Sequence, residues 1–383
     1  MKTMTRRRFL EYAGTATAGT VLGFPALAGA TRKRFRKCIV LGIDGMDPRL
    51  TSNYIKAGRM PNCRRLLRQG APFPTLGTSN PPQSPVAWSN FITGGDPGVH
   101  GIFDFIARDP DTMEPYLSTS RVDADVPNVQ LGGLQIPLKS ARIQNLREGA
   151  CLWNALENHG IPCTAIKAPA DFPPTAERAN TLSGLATPDV HGGYGIFSYF
   201  TTDPTFEALK GKEHNAVSGG EIFLVRNRNG IVDCTLKGPA NSFSAKGNTV
   251  DVPLRVFVDP PRRLAKIQLQ GQEVMLRDHE WSRWLPVTFT MLPGAAKVRG
   301  IVRVSVAFNE EGEVGIYASP VNMDPRAPAL PISNPHEYAR KLADAVGPYY
   351  TQGMAEDTSA LSAGALSNDD YRNQAEIVLQ ERL

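Results

Sequence analysis

The sequence predicts an α/β fold: a mostly parallel sheet flanked by helices and interrupted by a β-rich insertion. Three observations predict it. Strand-like and helix-like segments alternate through the first 170 residues, as in strand-helix-strand units. The strands among them read as continuous apolar runs, "KCIVLGIDG" (37–45) above all, the pattern of parallel strands buried on both faces. Near residue 220 the pattern switches to short, alternating, β-branched stretches with turn residues between them.

Taken in order, "KCIVLGIDG" ends in an Asp-Gly turn. Helical stretches follow at Leu50 to Lys56 and Pro61 to Gln69, the second stopped by Gly70 at a C′ position. "PFPTLGTS" (72–79) reads as a second strand. A helix from Ser84 to about Thr93 has serine as a good N-cap and Pro85 at its first position. Trp88, Phe91 and Ile92 fall at i, i+3 and i+4, which turns them toward the core. "ACLWNALENHG" (150–160) is a helix stopped by Gly160, and "IPCTAIKAP" (161–169) the next strand. From "EIFLVRNRNGIVDCTLKG" to "GEVGIYASPVNMD" the chain is strands joined by turns such as "RNG" and "EEGE". Helical patterns return from Pro335. The resulting partition is 1–30 a signal segment, 31–219 the first part of the α/β domain, 220–325 the β-rich insertion, and 326–383 a helical return.

Charge and cysteines bound the function. The net charge of +5 over 383 residues is concentrated before the first strand, where Lys2, Arg6, Arg7, Arg8, Arg32, Lys33, Arg34, Arg36 and Lys37 lie. The remainder is near neutral, so composition gives no case for nucleic acid as a partner. The head Thr5-Arg6-Arg7-Arg8-Phe9-Leu10, the Ala/Gly/Thr stretch after it and the small residues at Ala26 to Ala30 read as a twin-arginine export signal. Export to the periplasm or beyond is the expectation, with no stable membrane span. The five cysteines form no C-x-x-C pair, against a zinc ribbon or disulfide framework. Cys38 and Cys163 read as core residues, and one disulfide stays open.

Two residues stand out chemically. Asp44 lies at the carboxyl end of the first predicted strand, where open α/β sheets place ligands and a carboxylate can hold a divalent cation. By itself it is equally an Asp-Gly turn residue. Ser84 stands at a helix start, where a positive dipole end favours phosphate oxygens. It is equally an N-cap, and the residues alone leave both readings open.

The strings "VLGIDGMDP", "MPNCRRLLRQG" and "SNPPQSPVAWSNFITGGDPGVHGIFDF" together resemble the opening third of the alkaline phosphatase superfamily, in its type I phosphodiesterase/nucleotide pyrophosphatase branch. The resemblance is strong over 37–108 and looser through "GLATPDVHGGYG" and "YYTQGMAEDTSAL". It implies an alkaline-phosphatase-like fold, Asp44 as a metal ligand, and Ser84 as nucleophile and metal ligand. Thr93-Gly94 and His100-Gly101-Ile102 match the family's tail. It also implies two divalent metal ions, zinc by preference, a small phosphorylated substrate and a phospho-serine intermediate that water resolves. Nucleotide-handling members carry Asn shortly after "HGI"; here Asp104 stands there and becomes a candidate substrate contact. Asp189 and His191 are further candidates for lining the pocket. The remaining superfamily ligands would be an Asp-x-x-x-His, an Asp-His pair and a further His. Asp96 with His100, and Asp278 with His279, have those spacings but lie in a loop and in the insertion, so both are expected to be decoys. The family normally continues past "RNQAEIVLQERL", and a longer enzyme with this chain as its first part is the expectation. Three functions follow: a metal-dependent phosphoesterase, a phospho-transferase on the same scaffold, and a non-catalytic exported binding protein.

Overall fold

Helix starts in this chain follow Asp and Pro. In the computed structural model, which describes residues 37–123, 127–139 and 142–382, helix α1 (Pro48–Lys56) begins after Asp47. Its Oδ1 accepts from the N–H groups of Arg49 at 2.7 Å and Leu50 at 2.8 Å. Helix α2 (Pro61–Arg68) also starts on proline, where a missing N–H does no harm. The chain divides into two compact units, one ending at Ser84 and one beginning at Pro85. The twin-arginine signal lies outside the described residues.

In the first unit the apolar run 38–43 departs from the predicted strand. It enters no ladder, and Ile39, Val40, Leu41 and Ile43 are exposed, Ile39 at 91%. The stretch 72–79 likewise forms no strand, and Leu76 is 94% exposed. Apolar composition makes a run fit for a sheet, but a strand exists only when its backbone pairs with a neighbour. Cys38, expected in the core, is exposed with the rest of its run. Among the described residues of this unit only Thr51, Ile55 and Ser79 are buried.

The second unit has well-formed cores. Helix α3 (Ser84–Thr93) has the predicted bounds, but its buried side is Pro85, Val86, Ser89 and Ile92. Phe91 is 47% exposed, with Trp88 edge-on to it at 6.1 Å. The helix turns Pro85, Val86, Ser89 and Ile92 (i, i+1, i+4 and i+7) inward, leaving Trp88 half-buried and Phe91 exposed. After α4 (Pro97–His100), Gly101 adopts φ 74° and closes the turn by donating to Pro97 O, a conformation open to glycine. Antiparallel pairs follow: β1 (Ile106–Arg108) with β2 (Pro115–Leu117), β3 (Ser120–Asp123) with β6 (Arg142–Asn145), and β4 (Asn128–Leu131) with β5 (Leu134–Pro137). Helix α5 (Leu152–Asn158) packs Trp153 with Ile92, Cys151 and Ala179. Strand β7 (Thr164–Ala168) pairs in parallel with β8 (Asn180–Ser183).

The β-rich region begins earlier than its composition suggests, at β9 (Phe197–Thr201). Strands β10 (His214–Val217) and β11 (Gly220–Leu224) precede a five-stranded meander. The meander comprises β12 (Asn227–Arg228), β13 (Ile231–Leu236), β14 (Val252–Asp259), β15 (Leu264–Leu269) and β16 (Gln272–Arg277). Strands β17 (Leu285–Leu292), β18 (Ala296–Val302), β19 (Val304–Phe308), β20 (Val314–Ala318) and β21 (Asn322–Met323) complete it. One sheet has the order β10-β11-β9-β20-β19, and another β17-β18-β21. Inward residues of all three sheets form one core, with Val232, Leu254, Val256, Ile267, Phe289, Val304 and Ile316 essentially sealed from solvent. In β14 alternate residues are buried, which gives one dry and one wet face. Every residue of β9 and of β20 is buried, because their second face packs on Leu209, Ala360, Ala365 and Leu366. The expected mostly parallel sheet is not what the described strands form: β7 with β8 and β9 with β11 are parallel, and the other pairings are antiparallel. Short loops such as Asn229-Gly230 can join only antiparallel neighbours.

Helix α6 (Tyr338–Val346) covers Phe172, Leu182 and Met323 through Ala339 and Ala343. Helix α7 (Thr358–Ser362) is capped by Asp357, whose carboxylate accepts from Ala360 N at 2.8 Å. Helix α8 (Asn368–Arg382) docks Val378 against Trp284, Ile301 and Tyr350. No described helix is long and apolar enough to cross a membrane.

Candidate functional site

The two residues that the sequence singles out come together across 40 positions. Gly45, at φ 65°, turns the chain sharply after Asp44, and the loop 77–83 returns it to the start of α3. There the Ser84 hydroxyl donates to Asp44 Oδ2 at 2.9 Å. Ser79 supports that return by donating from Oγ to Pro81 O at 2.7 Å while buried. Asp44 is exposed and Ser84 half-buried, so the pair is open to a ligand. The positive end of the α3 dipole lies at Ser84, where a tetrahedral anion is favoured. The Ser84 hydroxyl is therefore oriented by a carboxylate at a helix start.

The other candidates are placed apart from this pair in function. Asp104 is exposed and accepts from its neighbour Phe105 N at 2.6 Å. Asp189 is buried, and its carboxylate commits both oxygens to backbone: Oδ1 accepts from His191 N at 2.9 Å and Gly193 N at 3.0 Å, Oδ2 from Ile196 N at 2.9 Å. Burial raises its pKa, against the His191 charge and those N–H groups, which lower it. The His191 ring donates from Nε2 to Lys237 O at 3.2 Å. Asp96 caps α4 by accepting from Gly98 N at 3.0 Å. His100 is fully buried, with Nδ1 accepting from Ile102 N at 3.1 Å and Nε2 on Asn90 Oδ1 at 2.7 Å. Asp278 accepts from Phe308 N at 2.9 Å and Arg263 Nε at 2.7 Å. His279 meets Asp370 at 2.9 Å through Nδ1. Each of these four has a role in the fold.

Sequence reading missed a buried ion pair. Arg147, its side chain 1% exposed, donates to Asp171 Oδ1 at 3.0 Å, Ala170 O at 2.8 Å and Thr175 Oγ1 at 2.8 Å. Nothing marks two residues 24 positions apart as partners in a single sequence. The sequence also gave no sign of a cavity of about 230 Å³, whose walls come from residues between 116 and 330.

An aspartate at the end of an apolar run is thus hydrogen-bonded to a serine at a helix start. Residues 38–213 match the family model described as type I phosphodiesterase / nucleotide pyrophosphatase. No curated protein matches the chain.

Proposed function

We propose that the chain acts on phosphate esters, with Ser84 as the nucleophile that becomes phosphorylated and Asp44 as the group that holds its hydroxyl. The observation that supports this most is the 2.9 Å hydrogen bond from Ser84 Oγ to Asp44, set within a segment matching a phosphodiesterase family. As Oγ attacks phosphorus, Asp44 accepts the hydroxyl proton, the P–O bond to the ester oxygen breaks, and Asp44 passes that proton to the departing alkoxide, which leaves as an alcohol. Water then attacks the phospho-serine and restores the hydroxyl.

The resemblance implies two divalent ions, zinc by preference. Asp44 and Ser84 offer two oxygen donors, short of the four ligands that zinc takes. Among the described residues no group of three His, Cys, Asp or Glu is placed to hold an ion. The described residues do not by themselves make a two-metal centre, so the step above rests on the hydroxyl, the carboxylate and the helix end. This donor set favours a second reading, in which the chain binds phosphate esters without turnover. Export by the twin-arginine route belongs to the same proposal.

The test is turnover of a chromogenic aryl phosphate and of a bis-aryl phosphodiester, with acid-stable phosphate on the protein followed by mass spectrometry. A mass gain of one phosphate on Ser84 is expected. Ser84→Ala should remove it and lower the rate by several orders of magnitude, while stability changes by no more than about 1 kcal/mol. Near-normal turnover in Ser84→Ala would overturn the assignment, and tight ester binding without turnover would select the second reading.

A further inference from the structure

The cavity of about 230 Å³ lies wholly within the second unit, walled by Tyr116, Arg121, Ile143, Phe172, Tyr194 and Leu330. Its walls are largely aromatic and aliphatic. Among the described residues that line it the one cation is Arg121, which lies over the Tyr116 ring at 4.6 Å and pairs with Asp109 at 3.6 Å. That leaves a planar, charge-balanced face suited to a π-rich ring rather than to an anion. The floor is pinned from several sides. Asp189 grips the N–H groups of His191, Gly193 and Ile196, and the Tyr194 carbonyl accepts from Gln352 Nε2 at 2.7 Å. A floor held this way loses little freedom when a ligand enters.

We propose that this cavity binds an uncharged aromatic group of one or two rings. Volume sets the size: pockets for drug-sized ligands run to roughly 300–1,000 Å³, and this one is smaller. Asp189 is then a positioning residue for the pocket floor.

The experiment titrates the intact 383-residue chain with 2-naphthol, an alcohol without phosphate, by calorimetry. Val122, 57% exposed on β3, also lines the cavity, so Val122→Trp fills it without opening a core. Saturable naphthol binding that weakens at least tenfold in Val122→Trp is expected, with cyclohexanol binding at least fivefold more weakly than naphthol. No saturable binding, equal binding in Val122→Trp, or equal affinity for cyclohexanol would overturn the proposal. Because naphthol carries no phosphorus, a failure here leaves the phospho-serine test untouched, and the reverse also holds.

Discussion

A single ring shows how residue-scale chemistry fixes the loop behind α3. His100 Nδ1 accepts from the Ile102 N–H, so that nitrogen carries no proton, and Nε2–H must be the donor to Asn90 Oδ1. Protonation would need a second proton on Nδ1 and would break the Ile102 bond. Burial lowers the His100 pKa from its ordinary 6.5, and the nearby Arg147 charge lowers it further. The sign follows directly. Above 6.5 the ring is neutral folded or unfolded and its contribution is complete; below 6.5 the unfolded chain takes up a proton that the folded chain refuses. Stability should therefore fall as pH drops from that value toward the lowered one. Thermal unfolding between about pH 7.5 and about pH 5 checks this. His100→Gln should flatten that part of the profile and cost about 1–3 kcal/mol at neutral pH. An equal slope in both proteins would assign the titration elsewhere. His100 was legible as structural because its Gly-Ile tail belongs to a local motif. Asp44 and Ser84 stand out in the sequence because each sits in a short string with its own turn or helix-start chemistry, and the structure brings the two within 2.9 Å. The three backbone N–H groups on the Asp189 carboxylate are not visible in the sequence, because a strand-end carboxylate looks alike whether it faces ligand or backbone.

At the scale of elements, helix α8 is held by one carboxylate near its end. Glu381 Oε1 accepts from Trp284 Nε1 at 2.9 Å and Arg303 Nη2 at 2.5 Å, and Oε2 from Tyr350 N at 3.0 Å. The Arg303 and Glu381 side chains are 13% and 16% exposed, so removing the acid strands a cation with little water around it. Glu381→Ala should cost about 3 kcal/mol, read as a lower denaturant midpoint with unchanged slope. Glu381→Gln should lose less, since an amide still accepts one of the neutral hydrogen bonds. A loss within about 0.5 kcal/mol for the alanine variant would show the helix docked by its apolar side alone. Neither Trp284 nor Arg303 could be assigned to Glu381 from the chain, for they are 97 and 78 positions away. The strands of the insertion were legible, because alternation and Asn-Gly turns act over a few residues. The dry second face of β9 and β20 was not: it depends on which helices return to cover it.

For the whole molecule, the contrast lies between a second unit with five buried apolar clusters and a first unit with almost none. The run 38–43 was read as a buried strand because nothing in its composition separates a strand with partners from one without. Partners are a property of the rest of the fold, and the described residues supply no ladder for it. Its exposure has measurable consequences. Its backbone amides should exchange hydrogen close to the unprotected rate, while those of β14 and β15 exchange only through deep opening. Leu41, 76% exposed, should accept lysine within about 0.5 kcal/mol of the parent stability, as surface positions do. Val256, fully buried in the sandwich, should unfold the second unit on the same change. An exposed apolar patch also recruits other surfaces, so Leu41→Lys should raise solubility and reduce binding of an apolar dye. Slow exchange at 38–43, or a loss of several kcal/mol in Leu41→Lys, would mean that the run is paired in solution. The first unit would then be completed by polypeptide that covers it, and the Asp44–Ser84 pair would be framed by a sheet rather than by an open loop.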